Sequence, residues 1–244
     1  MSRPSTTPRI CIWTVVPNHY QASFHAALRA AGVDLRVCYY SKVDANRLAL
    51  GWSPHDTLPA GECYVPETSA ALAAVPDWRQ RVHVVPGSSV AFTRMLAAHF
   101  TAERTPWVHW SEAARPGLRW WATWPRKRWY SALINRGALG AFGISDQAME
   151  DLVRSGVHRE RVAMLPYSSA TCDRPPIPDD QTLSFAAGRL TFIYAGALIP
   201  RKGIDLLLRA FANLASTYAA TALVLVGKDG SDGGYARQAA ALGI

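Results

Sequence analysis

In the stretch GALIPRKGID, residues 196–205, Arg201 and Lys202 stand side by side just before an amphipathic run. Apolar positions Ile204, Leu207, Leu208, Phe211 and Leu214 follow at helical spacing, and LTFIYAG precedes the bend as an apolar, strand-like run. A bend needs turn residues. It does not need paired cations beside helix amides that are already unpaired and positive. Gly196 lets the backbone approach a ligand closely, and its amide can face an anion. The chemistry implied is anion binding at a helix N-terminus, and a diphosphate fits it. Two solvated loop cations are the competing reading. No G-K-[ST] follows, so this is not a Walker loop. The stretch VVPNHYQASFH after the first apolar run also lacks the G-x-G-x-x-G fingerprint.

Alternating strand and helix patterns would position this bend. ICIWTVV (10–16), LRVCYY (35–40), RVHVV (81–85), WVHW (107–110), AFGIS (141–145) and RVAMLP (161–166) read as buried strands. Helical patterns fall between them at 21–31, 90–103, 118–138 and after Ser145, an expected N-cap whose helix closes at Gly156. The stretch 41–80 is Pro-rich and has no readable period. A second such gap, 167–188, carries Pro175, Pro176 and Pro178. Beyond it come LTFIYAG, a helix from about 203 to 218, the strand ALVLVG and a final helix. Such alternation predicts an α/β protein of parallel sheets covered by helices. The expected divisions are a domain at 1–170, a linker at 171–188 and a partial domain at 189–244.

Composition narrows the class. The chain has 244 residues, 49% hydrophobic and 18% charged, which fits a globular protein with a real core. No apolar run approaches the roughly 20 residues that span a bilayer. MSRPSTTPRI lacks the apolar centre of a secretory signal. Cys11, Cys38, Cys63 and Cys172 form no C-x-x-C pair, so reduced thiols in a cytoplasmic protein without a metal site are expected. The net charge of +8 points to an anionic partner. Between Ala113 and Ser145 stand Arg115, Arg119, Arg126, Lys127, Arg128 and Arg136 with no acidic residue. Their tryptophan neighbours suit an anionic membrane surface, while a partly buried helix with snorkelling arginines is the alternative.

The segments FIYAGALIPRKGIDLLLRAFANL, TALVLVGKDG and ARQAAALGI closely resemble the start of the nucleotide-sugar domain of family 4 glycosyltransferases. GISDQAMEDLVRSGVHRERVAMLPYSSA resembles, more loosely, the end of their acceptor domain. The resemblance implies a GT-B-like fold: a Rossmann-like N-terminal domain plus an incomplete second Rossmann-like domain. It implies a retaining enzyme that moves a sugar from a UDP- or GDP-sugar to a glycan or lipid-linked acceptor in polysaccharide assembly, with no metal. Carried over, Lys202 contacts the donor diphosphate, Gly196 lends its backbone, and Gly227 flanks the nucleotide; a purely structural turn is the competing reading of Gly227. Many relatives place an Arg after that first glycine; here Ala197 stands there and Arg201 is the substitute. The family's glutamate pair has no counterpart, since the last glutamate is Glu160, so the chain is expected to be truncated in the donor domain.

Retaining transfer needs stabilisation of an oxocarbenium-like centre and of the leaving phosphate. Strand ends should supply the groups, which nominates His19, Ser88, His109 and Glu112; each also reads as a structural hydrogen-bonding residue. The alternative function is a non-catalytic remnant that binds acceptor or diphosphate only. A nucleic-acid module has the charge and the Trp/Arg stretch in its favour but no accompanying motif, so no nucleic-acid partner is expected.

Overall fold

The computed structural model describes residues 7–50, 52–53, 57–114, 121–168 and 184–244, with the backbone alone for His19 and Tyr20. In chain order the elements are β1 (Arg9–Thr14), α1 (His19–Ala30), β2 (Asp34–Tyr39), α2 (Ala45–Ala49), β3 (Glu62–Tyr64), β4 (Val82–Pro86), α3 (Ala91–Ala102) and β5 (Trp107–Ser111). Then follow α4 (Trp124–Gly137), β6 (Gly140–Gly143), α5 (Asp146–Arg154) and β7 (Val162–Met164). The last are β8 (Leu190–Ala195), α6 (Ile204–Ala215), β9 (Thr221–Val226) and α7 (Gly234–Ala241). Two compact units result: Met1–Lys42 with His55–Thr171, and Val43–Pro54 with Cys172–Ile244.

The first unit holds a seven-stranded sheet in the order β3-β2-β1-β4-β5-β6-β7, with every pairing parallel. Strand alternation assigns the two faces. Cys11 and Trp13 of β1 join Leu96, Phe100, Trp107 and Ile134 in one core, while Ile12 turns to Leu35, Val37 and the α1 residues Phe24 and Leu28. Both faces are buried, so the strands read as continuous apolar runs. This is the expected Rossmann-like arrangement.

Local chemistry sets the helix starts. Asn18 accepts from the Gln21 amide at 2.8 Å and caps α1, while Ser145 accepts from the Ala148 amide and caps α5. Within the expected helix at 118–138, residues 121–122 are helical, a turn falls at Thr123, and α4 starts at Trp124 with Pro125 in its first turn, where its missing amide is tolerated. Residues 115–120 lie outside the described residues. The edge strand β3 escapes sequence reading because three residues are too few for a period.

Four polar features lock the first unit. Arg81, 2% exposed, bonds Asp34 at 2.9 Å and Asp77 at 2.8 Å through Nη2, and the Asp34 carbonyl at 2.8 Å through Nη1. His83 Nδ1 accepts from the Trp13 indole at 3.0 Å, which leaves the proton on Nε2 to donate to the Trp78 carbonyl at 2.8 Å. Burial pushes this imidazole down to about 4 and keeps it neutral. Cys11, Cys38 and Cys63 lie across three adjacent strands with sulfurs 3.9 Å apart in sequence order. Thiol–thiol contact and burial raise the pKa of Cys38 and Cys63, which keeps them protonated and inert. Cys172 lies outside the described residues.

Glu62 is the fourth. Its carboxylate is 5% exposed, accepts from Tyr39 at 2.7 Å and Arg29 at 3.0 Å, and lies 3.7 Å from His25 Nδ1. Burial opposes ionisation, but His25, Tyr39 and Arg29 together outweigh it and hold the group at about 2. A depressed carboxyl pKa gives stability that is full above the unfolded value and lost as pH falls through the folded one. The loss therefore runs from about pH 5 to about pH 2 and amounts to roughly 3 kcal/mol. Urea melts across this range are expected to show a shallower acid loss in Glu62→Gln than in the parent; superimposable slopes would refute the assignment.

The second unit pairs β8 with β9 in parallel over six residues. Leu198, Ile204, Leu208 and Tyr235 form its core with Tyr194, Leu223 and Leu225. The Val43–Pro54 segment that groups with it carries α2, capped where Asp44 accepts from the Arg47 amide at 2.9 Å.

Candidate functional site

At the carboxyl end of β8 the chain passes Gly196, turns through Pro200–Lys202 and enters α6. Gly203 has φ 71° and caps α6 without a side chain, so the chain swings from the turn directly into the helix. Arg201 and Lys202 are thereby held exposed at the positive end of α6, where cations are unfavourable unless an anion joins them. Asp205 in the first turn is engaged by Arg209 at 2.9 Å.

One expected donor is spent. The Gly196 amide donates to the Val226 carbonyl at 2.8 Å, completing the sheet rather than facing a ligand. Among the described residues, the amides of Ile204 and Asp205 have no acceptor, as expected for a helix start without a side-chain cap. Gly227 packs directly on Gly196: a Cβ at Gly227 would stand 1.9 Å from the Gly196 carbonyl oxygen. Gly227 thus sets a close backbone approach beneath the turn.

In the first unit a pocket of about 560 Å³ opens where β4 and β5 end. Ser88, His109 and Glu112 all line it, so the fold brings the loop after β4 beside the end of β5, 21 positions on from Ser88 to His109. The side chain of His19 lies outside the described residues. His109 Nε2 is 2.8 Å from Ser111 Oγ, and Nδ1 is buried without a partner. Burial pushes His109 down to about 4, so it is neutral at physiological pH. Glu112 is exposed at the rim beside Tyr167; burial first, and then this carboxylate, push the Tyr167 phenol to about 12.

Tyr130 and Asp151, neither visible as a site residue in the sequence, line the same pocket with Lys127. Tyr130 is buried with its hydroxyl unpartnered and meets His109 edge-on, centroids 5.4 Å apart. Lys127 pairs with Asp151 at 3.4 Å, and Asp151 also accepts from the Ala114 amide at 3.2 Å, tying the loop after β5 to α5. Burial lowers the Lys127 pKa against the pull of Asp151. Only the cations opening α4 were visible in sequence; the pairing spans 24 positions. Trp121 and Trp129 of the basic aromatic stretch are exposed, and no helix among the described residues is long and apolar enough to cross a membrane. No cluster of three His, Cys, Asp or Glu among the described residues could hold a metal.

No protein-family profile matches the sequence, and no curated protein does. Solved structures share the fold. HepE from Anabaena in complex with UDP matches with a TM-score of 0.65 at 15% identity, over 98% of this chain and 66% of that one. The same protein with UDP and glucose gives 0.61 at 16% identity, over 97% and 66%. UDP-GlcNAc 2-epimerase from Neisseria meningitidis bound to UDP-GlcNAc gives 0.56 at 12% identity, over 97% and 69%. This chain spans 66% of the length of HepE. At such identities the likeness establishes the fold, a GT-B-like α/β architecture with a partial second domain.

Proposed function

We propose that this chain belongs to a nucleotide-sugar enzyme of the family 4 glycosyltransferase type, which moves a sugar from a UDP- or GDP-sugar to a glycan or lipid-linked acceptor with retention. The carrying observation is the placement of Arg201 and Lys202 at the uncapped start of α6, just beyond the end of a parallel strand. Binding of UDP and UDP-sugars by the structural neighbours supports a diphosphate at this turn. Lys202 and Arg201 neutralise the diphosphate and stabilise it as the leaving group, the first-turn amides of α6 add donors, and Gly196 and Gly227 hold the backbone beneath. Ser88, His109 and Glu112 serve the acceptor side, where neutral His109 accepts or donates a single hydrogen bond. Lys202→Ala is expected to weaken UDP binding about ten-fold, the loss of one charge-assisted contact. Calorimetric titration checks this, and unchanged affinity would remove Lys202 from the site.

The likeness to a UDP-GlcNAc 2-epimerase favours a second reading, epimerisation of the nucleotide sugar itself. Product analysis separates the two: transfer releases free UDP, whereas epimerisation returns a UDP-sugar of altered configuration.

A further inference from the structure

We propose that the pocket in the first unit binds the phosphate group of a phosphorylated acceptor, between the Gly87–Val90 loop, Tyr130 and the first turn of α4. The Tyr130 hydroxyl and His109 Nδ1 have no partner, the residues are 3% and 2% exposed, and both line the pocket. Buried polar groups are nearly always paired, so an orphaned pair in a pocket wall marks where a ligand's oxygens belong.

The loop after β4 is built the same way. Thr93 Oγ1 donates to the Gly87 carbonyl at 2.9 Å, and Arg94 Nη1 donates to the Ser88 and Ser89 carbonyls at 2.8 and 3.1 Å. The acceptors of the loop are thus consumed by α3, while the amides of Ser88 and Ser89 have no acceptor among the described residues. α3 starts at Val90 with no side-chain cap, so its first-turn amides add to the same donor surface.

Charge points the same way. Neither α3 nor α4 carries an acidic residue in its first turn, and α4 instead opens with Arg126 and Lys127, against its own dipole. Asp151 answers Lys127, and Glu112 is exposed at the rim beside Tyr167, so Arg126 and the start of α3 supply the positive side of the pocket. A phosphate supplies several acceptor oxygens and two negative charges, matching the donors of the Ser88–Ser89 loop, Tyr130 and Arg126, while Glu112 stands at the rim. The volume of about 560 Å³ exceeds a bare phosphate, and Trp110 with Tyr167, edge-on at 5.3 Å, offers an aromatic wall for an attached sugar ring. Anion binding stands on the pocket alone; naming the anion as the acceptor's phosphate rests on the transfer reading above.

The test is calorimetric titration of the full chain, first saturated with UDP, with inorganic phosphate, glucose 1-phosphate and glucose. Phosphate and glucose 1-phosphate are expected to bind, with glucose at least ten-fold weaker than glucose 1-phosphate. Tyr130→Phe, which keeps the ring packing, and Arg126→Ala should each weaken phosphate binding five- to ten-fold with UDP affinity unchanged. Phosphate binding that ignores both substitutions, or glucose binding as tightly as glucose 1-phosphate, would overturn the proposal. Farnesyl diphosphate against pyrophosphate separates a lipid-borne phosphate, which binds tighter, from a soluble one, which binds equally. Should UDP fail to bind, the donor reading falls alone, because phosphate titration of Lys202→Ala still reads the pocket.

Discussion

Gly227→Ala is expected to disrupt the second unit and abolish UDP binding with it. The added Cβ would stand 1.9 Å from the Gly196 carbonyl oxygen and 2.7 Å from its carbon, so the clash is with backbone and no rotamer relieves it. The φ of 153° adds conformational strain for any residue with a side chain. β8 and β9 would have to separate at their carboxyl ends, where the Gly196 amide bonds the Val226 carbonyl and Leu198 bridges Asp229. Strain plus lost pairing costs about 3 kcal/mol or more. Gly243 is the control: its φ is also positive, at 74°, but a Cβ there meets nothing within 4 Å. Gly243→Ala should therefore cost only about 1 kcal/mol of strain. Thermal melts of both variants, read beside UDP titrations, decide it. Equal melting of the two would show that the Gly196–Gly227 contact is not the constraint.

Arg81→Met should produce the largest loss in the first unit. The guanidinium joins the amino ends of β1, β2 and β4 by bonding the Ile10 and Asp34 carbonyls and the carboxylates of Asp34 and Asp77. These pairs differ from surface ion pairs because the arginine is 2% exposed. Removing it leaves backbone acceptors without a donor and leaves Asp34 and Asp77 with Arg9 alone, at 3.7 and 3.8 Å, as counter-charge. Asp34 and Asp77 retain partial contact with water, which limits the penalty to about 3 kcal/mol rather than the upper range for buried pairs. For a chain of this size that lowers the melting temperature by roughly 6–12 °C. Arg81→Lys should recover only part, since an ammonium cannot reach two carboxylates in a fork. A double-mutant cycle with Asp34→Asn isolates the pair, and coupling near zero would reject the network as a stabilising device.

Much of the fold was legible because parallel α/β units write themselves locally. Runs such as ICIWTVV are apolar throughout because both faces of β1 are covered, and Ser145 acts within four residues of the amide it caps. The stretch 41–80 was not legible, because β3 is three residues long and is a strand only through the pairing of Glu62–Tyr64 with 37–39 of β2. Asn18 is local in the same way as Ser145: it follows the first strand, and its side chain caps α1 three residues on.

The candidate sites divide along the same line. Arg201, Lys202 and Gly203 form their turn from contiguous residues, so local order alone dictates a helix start without a side-chain cap, preceded by two cations. That Gly196 spends its amide on Val226, and that Gly227 leans on Gly196, follows only from the pairing of β8 with β9. The pocket of the first unit is wholly tertiary: Ser88 lies in the loop after β4, while His109, Tyr130 and Asp151 belong to β5, α4 and α5. Helical and strand periods express which face of an element meets the core, a property of near neighbours. Which strand ends lie side by side depends on the order of strands in the sheet, and that order is set by long-range packing.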